Sequence, residues 1–427
     1  MDKRQFLQCG AGAAAALAWP LAGAQAPDKL TVIGHAAHRS ALTGEKGGDI
    51  AGDWSKANNS LRVEWITFGV PEIHDRLFRE ASLSAGAIDV AFLLNRYVSA
   101  RVATLFEPLD DLQKQAPVEA MDDYPRGMLD TLTFGGKLYG IPFRQATTGL
   151  LYNKALLAER GLSGPPKTTT ELLDYAKKLS YTRADGTRVH GLIMDGPGIS
   201  QMIDLARMYD GDLVGPDMKI KVTEPGMVRA LGVLKDLYEG GVLPRDFPKF
   251  QTENVVTFMQ QGRAAMALTP LSRYTQFNSA QASRFPGQIE AAPIPVADEL
   301  KSRYDFAPVK SEFWVLAIPR NARNKQLSWN FIRQVSSKEA TIRAGLNGNG
   351  PARRSAMEDA RYRGAIPYAQ AEAAVLRHAR PPLPGWENSA RAEDAFREEV
   401  EAMLVGNRPP ADTARAIARR VEPLLPK

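Results

Sequence analysis

The chain reads as an α/β protein built around more than one core, and three observations predict this. Its 427 residues exceed what a single hydrophobic core usually organises and suit two or three domains. From residue 30 onward, short apolar runs alternate with helical patterns, the order that builds a largely parallel sheet covered by helices. One stretch, Gly136 to Leu157 (GKLYGIPFRQATTGLLYNKALL), reads in succession as hairpin arm, polar segment, strand and helix start. Hydrophobic residues at 44 % and charged residues at 24 % exclude a disordered or membrane-embedded chain as a class. The net charge of +6 comes from scattered Lys and Arg with only short pairs, such as Arg353-Arg354 and Arg419-Arg420. That is a mildly basic surface, and no nucleic-acid partner is expected.

The elements follow in order. Leu30 to Gly34 is a buried strand, and His35 to Gly48 reads as a polar loop. Asp49 to Asn58 is a helix turning Ile50 and Trp54 inward. Leu61, Val63 and Trp65 alternate with Arg62 and Glu64, the period of a half-buried strand. Pro71 suits a first helical turn, after which Ile73, Leu77 and Ala81 recur at helical spacing. Ala87 to Leu94 is a strand and Tyr97 to Leu105 a short helix. In the central stretch, Gly135 and Gly136 allow a tight turn and Leu138, Tyr139 and Ile141 form a short strand, which Pro142 is expected to stop. Phe143 to Gly149 is then either an exposed loop or a polar connector between two lobes. Leu150 to Tyr152 is a strand, and Asn153 caps a helix, Lys154 to Arg160, ended by Gly161. Beyond it, Thr168 and Glu171 form a capping-box pair before Leu172 to Leu179. Val228, Leu231, Leu234 and Leu237 share one helix face. Ala264 to Leu268, Ile289 to Val296 and Phe313 to Pro319 are strands, and the last sixty residues are mostly helix.

GKLYGIPF followed by LYNKALL resembles the bacterial extracellular solute-binding proteins that serve ABC importers, especially the sugar-binding group that contains maltose-binding protein. Four other stretches resemble the same family in the same order: Phe258 to Leu268, Ala292 to Pro295, Phe313 to Pro319 and Gly350 to Ser355. The resemblance implies a two-lobe periplasmic-binding-protein fold, each lobe a mostly parallel sheet flanked by helices, with about three hinge crossings. The first lobe would comprise residues 28–144 and 313–360, the second residues 145–312 and 361–427. It further implies a monomer that captures a sugar or sugar alcohol between the lobes and hands it to an ABC permease.

Residues 1–24 read as an export signal: Lys3 and Arg4, an Ala/Gly-rich apolar run from Cys9 to Leu21, and the small residues Ala22-Gly23-Ala24. Lys3-Arg4-Gln5-Phe6-Leu7 resembles a twin-arginine signal with its first arginine replaced. Cys9 is the only cysteine, so a processed chain has no disulfide, thiolate metal site or cysteine nucleophile. The periplasm is the expected address.

No serine elbow, phosphate-binding P-loop, zinc-protease helix or dinucleotide turn occurs. Of five histidines only His35 and His38 are close, with no third ligand nearby, so neither metal nor cofactor is expected. Ligands of open α/β sheets lie beyond the carboxyl ends of the strands. The polar residues at such ends are His35 and His38, Asn95 and Arg96, Arg144 and Gln145, and Arg273. Guanidinium and amide groups grip vicinal hydroxyls with paired hydrogen bonds, and an aromatic ring covers a sugar's C–H face. The resemblance adds Trp314 at the crossing into the return strand and Trp386 late in the second lobe. Each has packing as its alternative role. Asn347 and Asn349 either border the cleft or cap a helix end. A charged solute such as a phosphorylated polyol, clamped by Arg96, Arg144 and Arg273, is the alternative ligand, and an exported carbohydrate-active enzyme the alternative function.

Overall fold

A computed structural model describes residues 29–426; the export-signal reading of residues 1–24 lies outside them. Eight strands form one connected sheet. In chain order they are β1 (Lys29–Gly34), β2 (Arg62–Thr67), β3 (Val90–Leu94), β4 (Ile141–Asn153), β5 (Ile193–Met194), β6 (Met266–Pro270), β7 (Ile289–Ala292) and β8 (Ser311–Ala317). Their lateral order is β2-β1-β3-β8-β4-β6-β5, with β7 also paired to β4. β1 runs parallel to β2 and β3, and β5 parallel to β6, as β-α-β connections require. The return strand β8 is inserted antiparallel between β3 and β4.

Two hydrophobic cores lie on this sheet. The first gathers β1, β3 and β8 with helices α1 (Ala36–Thr43), α2 (Ile50–Ala57) and α3 (Val70–Ala81), around Trp54, Phe92 and Trp329. The second gathers the far half of β4 with β5 and β6, around Leu231, Phe247 and Phe396. Among the described strands, the thirteen-residue β4 joins the two halves of this sheet. Its near half, Ile141 to Thr147, pairs with β8, and its far half, Thr148 to Asn153, with β6 and β7.

The central stretch is therefore a continuous strand, where the sequence suggested a strand, a stop and a connector. Pro142 does not end the pairing, because it sits at an irregular step. Trp314 pairs with Arg144 and Val315 with Pro142, so the register skips Phe143. A proline is tolerated where a ladder hydrogen bond is already missing. The carbonyl of the skipped Phe143 accepts a hydrogen bond from Asn349 Nδ2 at 3.1 Å, which explains that asparagine. Gly350 is needed beside it, since a Cβ there would lie 2.2 Å from the Gln145 carbonyl oxygen. Gly135 and Gly136 take positive φ in the preceding hairpin, and Asn153 caps the next helix, accepting from Ala155 and Leu156.

Two further readings change. His35 to Gly48 is not a loop: His35 caps α1, its ring accepting from the Ala37 N–H. Imidazole is an uncommon cap, so the start carries no ordinary signal. The first core continues past residue 360, where the sequence reading ends the first lobe. Met357 and Tyr362 belong to the first core. Helix α10 (Ala369–Leu376) straddles both cores, and Arg380 then runs beside Lys310 in a parallel bridge. The intervening helices include α4 to α9, which are Lys154–Glu159, Thr169–Lys178, Ile199–Arg207, Pro225–Glu239, Lys325–Val335 and Lys338–Leu346. α11 (Ser389–Gly406) and α12 (Pro410–Val421) close the second core.

The Gly350 to Ser355 landmark has a structural reason in Arg353. Its fully buried guanidinium donates to the carbonyls of Ser336, Ala120 and Glu119, pairs with Asp123 at 3.4 Å and lies over the Tyr124 ring. Removing it takes a charged donor from three carbonyls and a carboxylate and empties a fully buried site. Arg353→Ala should lower unfolding free energy by about 3–5 kcal/mol in urea titrations, and Arg353→Lys should recover little of it, because an ammonium lacks the planar fork.

Candidate functional site

The site grows from the ladder around β8. Trp314 stands opposite Leu94 on β3 and Arg144 on β4, so the three side chains share one face of the sheet. Glu312, two residues earlier and opposite Ala146, is on the same face. Trp314 is partly exposed at the rim of the first core. Its ring meets the buried His38 edge-on at 4.5 Å, and His38 stacks on Phe92 at 4.2 Å. His74, at 5.6 Å from Trp314, stacks on Tyr97 at 3.8 Å. The result is an aromatic and imidazole floor at the carboxyl ends of β1 and β3.

Burial keeps these histidines neutral, and hydrogen bonds orient the rings of His74 and His38. His74 Nδ1 faces the Val70 carbonyl at 2.7 Å and so carries the proton, while Nε2 accepts from the Leu94 N–H at 3.0 Å. Burial pushes its pKa down to about 4, against the opposing Val70 hydrogen bond. His38 Nδ1 accepts from the His35 N–H at 3.1 Å. Burial, then the Arg144 charge, takes His38 well below the usual imidazole range, and the same two causes lower His35.

Arg144 is the group the fold leaves over. Among the described residues its partly buried guanidinium has no hydrogen-bond or ion-pair partner. Burial lowers its pKa, while Tyr368, Glu372 and Tyr362 around α10 support its charge. Arg144 thus lies electrostatically between the histidines of the first core and the residues around α10. The other two candidate arginines are matched. Arg96 pairs with Glu312 at 3.4 Å, and Arg273 with Asp195 at 3.3 Å, both members of that second pair mostly buried.

Four other candidates serve the scaffold. Asn95 is buried and its Oδ1 accepts from the Phe313 N–H at 3.0 Å, locking β8 to the end of β3. Gln145 faces away from Arg144; its Nε2 donates to Glu372 Oε1 at 2.8 Å and its Oε1 accepts from Thr147. Asn347 accepts from the Gly47 N–H and donates to the Ala41 and Gly48 carbonyls. Trp386 is buried in the second core and its indole N–H donates to the Leu424 carbonyl at 3.0 Å, while it also lines a cavity with Arg96, Tyr97 and Glu393.

Sequence reasoning missed Glu393 on α11. Two cavities meet at this residue. One, of about 670 Å³, is also lined by Arg96 and Tyr97; the other, of about 520 Å³, by Asp195 and the loop 196–199. Ser200 donates to the Glu393 carboxylate, and burial raises its pKa while Ser200 and Arg96 hold it down. Nothing in the helical pattern of 389–406 distinguishes Glu393 from its neighbours. Asp195 was legible, since it follows the strand end at Met194. Tyr97 and His74 were not, because only the tertiary stack brings them to Trp314.

The row from Arg144 through Trp314, Tyr97 and Arg96 to Glu393 and Asp195 offers donors, acceptors and ring faces, with contributions from both cores. The model of the family described as bacterial extracellular solute-binding protein matches residues 43–342. This chain belongs to that family. The solute-binding protein is 22 % identical over 318 residues to a probable ABC transporter-binding protein of Deinococcus radiodurans, covering 72 % of this chain and 74 % of that one. Its fold superposes on maltose-bound MalE3 of T. maritima with a TM-score of 0.77 and 22 % identity, over 93 % of this chain and 100 % of the other. It also superposes on an ABC transporter solute-binding protein of Agrobacterium vitis S4 with bound D-mannitol, with a TM-score of 0.70 and 19 % identity, over 93 % and 100 %. At these identities the structural likeness bears on the fold. The family binds solutes and does not convert them, and it works with ABC transporters.

Two outcomes follow for this solute-binding protein. Trp386→Ala should cost about 3–5 kcal/mol of stability, read as a sharp fall in melting temperature, whereas Trp314→Ala should leave melting of the unliganded protein much closer to the parent. Equal losses would mean that Trp314 is core.

The second outcome concerns pH. His74 has a folded pKa of about 4 against 6.5 when unfolded, so its contribution is full above pH 6.5 and is lost as pH falls toward 4. Buried Glu372 accepts from Tyr362 at 2.6 Å; burial raises its pKa to about 7 from 4.5, so its contribution is full below pH 4.5 and is lost as pH rises toward 7. The two oppose each other between pH 4.5 and 6.5, each with a slope of up to about 1.4 kcal/mol per pH unit. Urea unfolding of Glu372→Gln across this window should show stability falling more steeply on acidification than in the parent. His74→Phe should tilt the opposite way. Parallel profiles for all three proteins would contradict the assignment.

Proposed function

We propose that this protein is exported to the periplasm by its N-terminal segment, captures a neutral sugar or sugar alcohol between its two cores and delivers it to an ABC permease. The observation that carries the reading is the state of the three arginines. Arg144 has no protein partner among the described residues, while Arg96 and Arg273 are already matched by Glu312 and Asp195. Hydroxyl groups both donate and accept, so a polyol satisfies a free guanidinium and neighbouring carboxylates together. The exposed part of Trp314 covers an apolar C–H face beside them. The maltose and D-mannitol bound by the two structural neighbours are of this chemical class.

The phosphorylated-polyol reading needs several arginines in excess, and two of the three carry their own carboxylate. The two cores would act as lobes, and a solute touching both favours the closed arrangement through its differential contacts.

A thermal-shift panel of sugars, alditols and their phosphates identifies the solute, since a ligand at 100 times its Kd stabilises by about 2.7 kcal/mol. Neutral compounds should shift the melting temperature; a preference for phosphates, with affinity falling steeply as salt rises, would reverse the proposal. In calorimetric titration with the solute found, Arg144→Ala should lose about 1.5–3 kcal/mol, roughly tenfold to a hundredfold in Kd. Parental affinity in both Arg144→Ala and Trp314→Ala would move the site elsewhere.

A further inference from the structure

A cavity of about 630 Å³ lies on the other side of the crossing strands. Ser311 and Phe313 line it, and they alternate along β8 with Glu312 and Trp314, so it opens on the sheet face opposite the Arg144 row. Its walls come from first-core residues Met128 and Met357, from β8, and from Leu376 and Arg380 on the segment that passes between the cores. None of them belongs to the solute site described above.

Its chemistry is that of a receptor for an amphipathic anion. The interior is apolar, with Phe313, Met128, Met357 and Leu376 buried. Five arginines, 126, 354, 363, 377 and 380, surround it, and Glu358 is the single acidic residue in the lining. Arg380 is matched by Asp212. Arg126 and Arg377 have only exposed partners, Asp130 and Asp305, each at 3.8 Å. Arg354 and Arg363 donate to the backbone carbonyls of Asp122 and Met357, contacts that leave their charges uncompensated. At the floor, Ser311 is 2 % exposed and its hydroxyl has no hydrogen-bond partner among the described residues.

The geometry points to a second ligand site behind the crossing, which takes an organic carboxylate with an aliphatic or aromatic body, its anionic group among Arg354 and Arg363. A molecule of that class matches the cavity size. Its body lies over the apolar floor and the arginine stems, and its anionic group meets cations at the rim. Because Leu376 and Arg380 lie on the segment that passes between the cores, an occupant touches the crossing from behind.

Decanoate, held below its micellar concentration, is the probe. Calorimetry on the full chain should show saturable binding of one equivalent. Ala373→Phe, a change at a partly exposed helix position that fills the cavity, should weaken it by about tenfold or more, and the double variant Arg354→Glu/Arg363→Glu should do the same. The double variant Arg354→Lys/Arg363→Lys should retain most of the affinity, and uncharged decanol should bind far more weakly than decanoate. Arg144→Ala should bind decanoate like the parent. Circular dichroism checks that each variant is folded. Absence of saturable binding to the parent, or affinity unchanged in both Ala373→Phe and the charge-reversed variant, overturns the proposal. Loss of binding in Arg144→Ala also overturns it, since decanoate would then occupy the solute cleft. None of these readings depends on which solute the cleft takes.

Discussion

The pairing of one long strand along both its edges is the constraint on which the molecule depends. β4 passes from the first core into the second, and its buried backbone groups need partners along the whole length. β8 and the Gly350-Pro351 turn supply them in the first half, β6 and β7 in the second. An ordinary linker would let two cores drift apart. A strand hydrogen-bonded at both ends keeps them in register, and its pairing partners change between Thr147 and Thr148.

That arrangement explains where polar side chains are used up and where one is left over. Around the crossing, Asn95, Asn349 and Gln145 each answer a backbone or side-chain group that the irregular sheet would otherwise leave unmade. Arg207 likewise binds the carbonyls of Pro308, Arg380 and Pro381, fixing the second and third crossings to one another, with Asp212 as its counter-ion. Arg144 differs from these in having neighbours that favour its charge and no partner that holds it. A cation kept in that state is desolvated in part and costs stability in the unliganded protein. Such an expense is tolerated where a ligand completes the contact.

Charge also organises the two faces of the crossing differently. On the Trp314 face, Arg96 is mixed with the carboxylates Glu312 and Glu393, a combination suited to hydroxyls. On the Phe313 face the rim is mainly arginine over an apolar floor. Alternate residues of a single strand, β8, thus present two kinds of chemistry, because side chains of a strand point in turn to opposite sides.

The local elements were determined by the sequence alone. Apolar periodicity placed β1, α2, β2, α3 and β3, and cap chemistry placed Asn153 at the start of α4, because these depend on neighbours a few residues away. The ordered landmarks from Gly136 to Ser355 carried the fold class. For the site, strand ends pointed to Arg144, Arg96 and Arg273, and Trp314 followed from its place at the crossing. Tertiary structure alone decided which of these groups stay available. The sequence leaves Asn347 and Trp386 open between ligand contact and packing, because their partners, Gly47 and Leu424, lie hundreds or tens of residues away. The same holds for Pro142, which reads as a stop until β8 and Asn349 supply a bulge that accommodates it. Hydrogen-bond partnership across the chain is a property of distance in space, and one-dimensional order does not encode which polar group finds its partner first.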